Sequence, residues 1–180
     1  HRYSKVLELN NADITTDMVH SAEGEAMSAI RIEDDIHILL VGENHITNIY
    51  DTVNGITFWD QSYESFWGSG SLDISVSNNY RTAIYGSAMM LSLYDSVTVT
   101  ASGSRAVYTD FNYDIGEINL YDNSSLYTYG YRTDDDEDLY TIEAPYVYMY
   151  NNSYLYTEHD WNEPAVLSWS TAFAGYKTDV

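Results

Sequence analysis

The octapeptide LYDNSSLY at residues 120–127 shows the pattern that organises this 180-residue chain. It has a large apolar residue, a short polar turn and, six positions after the first, a second apolar residue. The arrangement recurs as MYNNSYLY at 149–156, LYDSVTVT at 93–100, FWGSGSLD at 66–73, LVGENHIT at 40–47 and, one residue shorter, LNNADIT at 9–15. Such recurrence is typical of solenoid proteins, in which each repeat is one structural unit.

The spacing of these repeats predicts stacked coils of β-structure. The first apolar positions follow one another at intervals of 31, 26, 27, 27 and 29 residues. The flanking segments alternate with period two, as in Leu91-Ser92-Leu93, which is typical of strands. We therefore predict an all-β fold, a single-stranded right-handed parallel β-helix of about six coils, its handedness following from the rule for parallel connections. A β-sandwich is the alternative, and the regular spacing favours the solenoid.

Stacking would place equivalent apolar residues over one another, because a coil cannot bury its inner face alone. A small residue followed by a β-branched one precedes several copies and predicts the third strand of a coil. The first predicted inner file is Leu9, Leu40, Phe66, Leu93, Leu120 and Met149, and the second is Ile14, Ile46, Leu72, Val99, Leu126 and Leu155. The third-strand pairs are Ala29-Ile30, Gly55-Ile56, Ala83-Ile84, Ala106-Val107 and Ala165-Val166.

Composition limits the classes of partner. Seven basic residues against 28 acidic ones give a formal net charge of −21, so we expect no nucleic-acid binding, which needs neutralisation of phosphates. No apolar run approaches the roughly 20 residues of a membrane span, so we expect no membrane insertion. Cysteine is absent, and 19 tyrosines argue against disorder. The chain opens at His1 in mid-pattern, and we predict one β-helix domain over 1–180, either a mature protein or a domain excised from a longer chain.

Three segments carry a resemblance to a known family. VLELNNADIT at 6–15, ILLVGENHIT at 38–47 and GSGSLDIS at 68–75 resemble the repeat of bacterial secreted or surface proteins described as carbohydrate-binding domains with a right-handed parallel β-helix. The resemblance covers the first half of the chain; after Tyr113 only the repeat skeleton persists, with Tyr where the family usually has Thr and Gly. It implies a secreted or cell-surface location, a polysaccharide ligand and no catalytic residue.

The residue after the first anchor points outward by strand alternation and is aromatic in four consecutive repeats. Tyrosine and tryptophan offer an apolar face and a hydrogen-bonding edge, which complement the C–H face and hydroxyl rim of a pyranose. We therefore expect a carbohydrate-binding aromatic ladder on the surface of the solenoid. Its core is Trp67, Tyr94, Tyr121 and Tyr150, extended by Tyr127, Tyr156, Tyr148 and Tyr154.

The sequence leaves other readings open. Rings on adjacent coils could instead stabilise the sheet as cross-strand pairs. The mixture of Tyr, Ser, Asn and Asp also fits an adhesin that binds a protein or cell-surface partner through Tyr-rich loops, including Tyr129, Tyr131 and Tyr140. For the glycan, a neutral plant-type polysaccharide of the xylan or β-glucan class is favoured, since the net charge repels polyuronates. Neighbouring catalytic or anchoring domains would fit such a module.

Metal binding and catalysis are the remaining alternatives. Asp134, Asp135 and Asp136 lie in a run of five acids and are candidate Ca²⁺ ligands, with a solvated acidic loop as the plainer interpretation. The turn residues Asp95, Asp122 and Asn151 predict a side-chain hydrogen-bond ladder. A polysaccharide lyase or hydrolase needs a positioned base or carboxyl pair, and only chance pairs such as Asp73 with Asp95 or Glu64 are available. We expect binding rather than catalysis and no cofactor other than Ca²⁺.

Overall fold

The regular structure of the protein consists of strands. The computed structural model describes residues 5–16, 27–33, 35–49, 53–59, 63–77, 81–109, 116–131, 140–160 and 165–173, and no helix occurs in these ranges. The strands are β1 (Lys5–Asn10), β2 (Asp13–Thr16), β3 (Met27–Ile32), β4 (Ile36–Val41), β5 (Glu43–Asn48), β6 (Val53–Phe58), β7 (Tyr63–Gly68), β8 (Ser71–Val76), β9 (Thr82–Gly86), β10 (Met90–Leu93), β11 (Thr98–Gly103), β12 (Arg105–Thr109), β13 (Glu117–Leu120), β14 (Ser125–Gly130), β15 (Ile142–Glu143), β16 (Tyr146–Met149), β17 (Tyr154–His159), β18 (Val166–Leu167) and β19 (Ser170–Phe173).

These strands form three parallel sheets. Sheet 1 has the order β1-β4-β7-β10-β13-β16-β19, sheet 2 the order β2-β5-β8-β11-β14-β17 and sheet 3 the order β3-β6-β9-β12-β15-β18. The chain therefore passes through sheets 1, 2 and 3 in turn, and each strand pairs with its equivalent one coil later. The predicted parallel β-solenoid is confirmed.

The core lies between the inner faces of the three sheets. Inward residues are almost wholly aliphatic, and the rings of Phe58 and Phe66 meet edge to face at 6.4 Å. The predicted third strand of each coil is confirmed, and its β-branched residues stack in register. The file is completed by Ile142, which lies in a Thr-Ile pair that the sequence pattern missed. Its members in register are Ile30, Ile56, Ile84, Val107, Ile142 and Val166.

The predicted register between the second and third coils is wrong by two residues. Leu40 pairs with Gly68 rather than Phe66, whose partner is Ile38. In sheet 2 the slip is the same, since Ile46 pairs with Ile74 rather than Leu72. The interval between these coils is therefore 28 residues rather than 26.

Glycines explain this register. Gly68 has φ +109°, and a Cβ built on Gly70 would lie 2.7 Å from both the carbonyl carbon of Leu40 and the carbonyl oxygen of Gly42. The backbone of the third coil thus approaches that of the second more closely than a side chain would allow. A slip of two residues preserves the inward-outward alternation, so hydrophobic patterning does not oppose it.

Five of the six described turns between sheets 1 and 2 share a left-handed φ, and the exception is the turn between β7 and β8. Asn11, Gly42, Asp95, Asp122 and Asn151 all have φ between +50° and +67°. This left-handed region suits glycine, and Asn and Asp tolerate it better than other residues. The Nδ2 of Asn151 donates to Oδ1 of Asp122 at 3.1 Å, which confirms the predicted ladder at this step. The Oδ2 of Asp95 instead accepts a hydrogen bond from the backbone N–H of Gly68 at 3.2 Å.

Substitutions at Asp122 test the importance of this turn conformation. Asp122→Ala and Asp122→Gly both remove the acceptor for Asn151, but only alanine keeps a Cβ at φ +58°. We expect Asp122→Ala to be less stable than Asp122→Gly by about 1 kcal/mol, because alanine is strained in the left-handed region. The greater freedom of glycine in the unfolded chain offsets part of this penalty. Urea unfolding of the two variants measures this difference. Equal stability, or a more stable alanine variant, would contradict the conformational explanation.

Candidate functional site

The outer face of sheet 1 carries three parallel files of side chains on strands β7, β10 and β13. The central file contains small polar residues, Ser65, Ser92 and Asn119, in direct register. One flanking file consists of Tyr63, Met90 and Glu117. On the other side, Trp67, Tyr94 and Tyr121 directly follow the paired residues Phe66, Leu93 and Leu120. Small side chains between two rows of larger ones form a groove along the solenoid axis.

The tyrosines of the predicted ladder stack on one another. The rings of Tyr94 and Tyr121 are 4.7 Å apart and inclined by 3°, and those of Tyr121 and Tyr150 are 4.6 Å apart and inclined by 4°. These distances are close to the spacing between neighbouring strands. Each ring therefore covers the face of the next and turns its edge outward. The stack fits the sheet-stabilising alternative, and a sugar ring cannot lie flat on most of these tyrosines.

Trp67 differs from the tyrosines. Its side chain is 37% exposed, as is that of Tyr94, but it forms no ring pair with any aromatic residue in the described ranges. A hollow of about 300 Å³ is lined by Trp67, Tyr94 and Asp95 together with Val6, His37 and Ser65. The indole thus borders the hollow without stacking on another ring, whereas Tyr94 borders it as a member of the tyrosine stack.

A second hollow continues the first along the groove. It has a volume of about 230 Å³ and shares His37, Ser65 and Tyr94 with the hollow beside Trp67. Its remaining lining is Tyr63, Glu64, Met90, Ser92, Glu117, Asn119 and Tyr121. We name the two hollows together the sheet 1 groove. Tyr148 follows Asn119 in register, so a large side chain succeeds the small polar residues of the central file.

Polar side chains within the groove are linked in pairs. The Nδ1 of His37 lies 2.6 Å from Oγ of Ser65, and the Nδ2 of Asn119 donates to Oε2 of Glu117 at 3.2 Å. Sequence reasoning missed His37 and Ser65 because the predicted interval of 26 residues separated them. The true interval of 28 residues places them in register and could have identified the pair.

The tyrosine stack changes the acidity of its central hydroxyl. Burial, followed by the neighbouring Tyr94, Tyr150 and Glu117, raises the pKa of Tyr121 above its ordinary value. Burial, followed by Glu117, Tyr146 and Tyr150, also raises the pKa of Tyr148. These hydroxyls are therefore neutral donors and acceptors in neutral solution.

The other predicted tyrosines lie on a different face. Tyr127, Tyr154 and Tyr156 are on the outer side of sheet 2, where Tyr129 joins them. Their ring pairs are 5.4 to 6.2 Å apart and tilted by 40° to 50°. We name these four residues the sheet 2 tyrosine cluster. A hydrogen bond to Glu158, followed by the charge of that group, raises the pKa of Tyr156. The structure therefore divides the eight predicted residues between two faces.

The remaining acidic candidates form no cluster in the described parts of the chain. Asp134, Asp135 and Asp136 lie outside the described residues, and no group of three His, Asp or Glu side chains elsewhere in the description is arranged to hold a metal ion. Asp73 faces outward on sheet 2, with His45 Nδ1 at 4.0 Å from its carboxylate. Glu64 is 2% exposed and pairs in register with the buried Leu91 on sheet 1.

Comparisons with known proteins do not add a function. No family model matches the chain, and neither a curated protein nor a solved structure matches it. Within the described ranges, no helix is long and apolar enough to cross a membrane.

The raised pKa of Tyr121 predicts a loss of stability in alkali. An unfolded chain ionises its tyrosines near pH 10, while the folded chain holds the Tyr121 proton to higher pH. The contribution of Tyr121 to the free energy of unfolding should therefore be fully present below about pH 10 and be lost as the pH rises through the folded pKa. Tyr121→Phe removes the titrating hydroxyl, so its stability should fall less between pH 8 and about pH 11, as measured by urea unfolding.

The control for this experiment is Tyr63→Phe, at an exposed tyrosine outside the stack. It should lose stability in alkali as the unaltered protein does. If Tyr121→Phe lost as much stability as the unaltered protein, the assignment of the alkaline transition to Tyr121 would be wrong.

Proposed function

We propose that this protein is a non-catalytic carbohydrate-binding module that holds a polysaccharide chain in the sheet 1 groove. The observation that carries the proposal is the uncovered indole of Trp67 beside a row of small polar side chains. A pyranose ring has an apolar C–H face that can pack on the indole and hydroxyls that can bond to Ser65, Ser92 and Asn119.

The groove shape supports an extended ligand. Its lining runs from Val6 on β1 to Asn119 on β13, five neighbouring strands, so its length is about 19 Å. The outward edges of Tyr94 and Tyr121 border it with hydroxyl groups, while Met90 adds apolar surface on the opposite side. A polymer with alternating apolar and hydroxyl surface matches this lining better than a compact ligand. The location proposed for such a module is secreted or cell-surface, as the sequence resemblance implies.

An adhesin is the second candidate function. The sheet 2 tyrosine cluster favours it, because its rings are tilted and leave parts of their faces uncovered. Tyr131 and Tyr140 are half-buried beside the ends of β14 and β15. The two candidates use different faces and are therefore separable by mutation.

Affinity electrophoresis tests the carbohydrate proposal. The protein is run in native gels that contain xylan, a cellulose derivative, mannan, β-glucan or polygalacturonate, with and without EDTA. We expect retardation by at least one of the polymers, and about a tenfold loss of affinity in Trp67→Ala, the loss expected for one stacked aromatic contact. Retention of binding in EDTA would place the site in the groove rather than at a calcium-dependent loop.

Trp59→Ala is the matched control, because Trp59 is 41% exposed and directly follows β6 of sheet 3. It should bind as the unaltered protein does, and circular dichroism should show both variants folded. Equal loss in the two variants would contradict a site at Trp67. Absence of retardation in every gel would exclude these polymers and favour the adhesin, whose binding the substitutions Tyr127→Ala and Tyr156→Ala should then weaken.

A further inference from the structure

We infer that the sheet 1 groove selects a polysaccharide that carries protonated amino groups, in preference to the neutral xylan or β-glucan class. This inference rests on the proposed function and names its ligand class. The chemical feature it adds is attraction between ring-borne ammonium groups and the carboxylates along the groove.

Carboxylates flank the groove on both sides. Asp95 lines the hollow beside Trp67 and is exposed, while Glu117 lines the adjoining hollow one coil further on. Among the residues that line the two hollows, none is Lys or Arg, and His37 is the single residue with a basic side chain. A ligand in the groove therefore meets a net negative field, reinforced by the net charge of −21.

The positions of the two carboxylates fit a ligand with repeated positive charges. Glu117 belongs to the file of Tyr63 and Met90, on one side of the central file. Asp95 directly follows Tyr94, which lies on the opposite side of that file. Each acid keeps acceptor capacity, since Glu117 accepts one bond from Asn119 and Asp95 accepts one from the backbone of Gly68. An ammonium group on successive sugars could thus meet a carboxylate at either side of the groove.

The same ligand class also fits the aromatic part of the site. A cation near the face of an indole is attracted by the ring quadrupole. Polyuronates would meet repulsion from Asp95 and Glu117, and neutral polymers could use these acids as hydrogen-bond acceptors but would gain no charge attraction. Amino-sugar polymers can use both the indole of Trp67 and the two carboxylates.

Isothermal titration calorimetry tests this inference with the intact chain. The ligands are a β-1,4-linked glucosamine hexamer, the fully N-acetylated hexamer and the corresponding glucose hexamer, at about pH 5, where exposed carboxylates are mostly ionised. We expect the glucosamine hexamer to bind tightest and to weaken when salt is raised to about 0.5 M, which screens exposed charges. Glu117→Gln should weaken its affinity about fivefold and weaken binding of the other two hexamers by a smaller factor.

Glu43→Gln is the charge-matched control, because Glu43 is exposed at the start of β5 in sheet 2 and is absent from the groove lining. It should change the glucosamine affinity less than twofold. Equal losses in Glu43→Gln and Glu117→Gln would assign the attraction to overall charge and overturn the inference. Equal binding of all three hexamers would also overturn it while leaving the proposed carbohydrate function intact. Binding of none of the hexamers or the polymers would refute both.

Discussion

Parallel stacking of successive coils at the strand spacing controls which side chains meet in this protein. Each described strand pairs with an equivalent strand in a neighbouring coil, and the same spacing acts on both faces of every sheet. On the inner face it brings aliphatic residues together, because one coil cannot bury them alone. On the outer face it brings side chains at equivalent positions together. Where these positions hold tyrosines, the rings stack at 4.6 to 4.7 Å.

The sequence predicted the inner files well because each coil repeats the same alternation. The register between the second and third coils was beyond that reasoning, since a slip of two residues leaves every side chain on its correct face. Contacts of the backbone at Gly68 and Gly70 select the observed register instead. The slip also concealed the neighbouring positions of His37 and Ser65, so an error in register became an omission in the site.

The outer aromatic file shows a different limit of sequence reasoning. Alternation correctly placed Trp67, Tyr94, Tyr121 and Tyr150 on the outside, but it carries no information on ring orientation. The three tyrosines occupy each other's faces, whereas the register neighbour of Trp67 on the preceding coil is Leu39, which has no ring to stack. The proposed binding surface therefore depends on the end of the stack and the groove beside it, while the stack itself adds cross-strand stabilisation.

Asp95 and Glu117 border the groove, and the structural reasons for an acidic residue differ between the two positions. Asp95 occupies a turn position with φ +61°, where the fold itself favours Asp, Asn or Gly, so the backbone is sufficient to explain its residue type. Glu117 begins a strand, where no such requirement exists and where glutamate is not a favoured residue. It also contributes to the raised pKa values of Tyr121 and Tyr148, so it acts on the hydroxyls around it. Glu117 accepts a hydrogen bond from Asn119, and the proposed amino-sugar ligand would give the same carboxylate a second role.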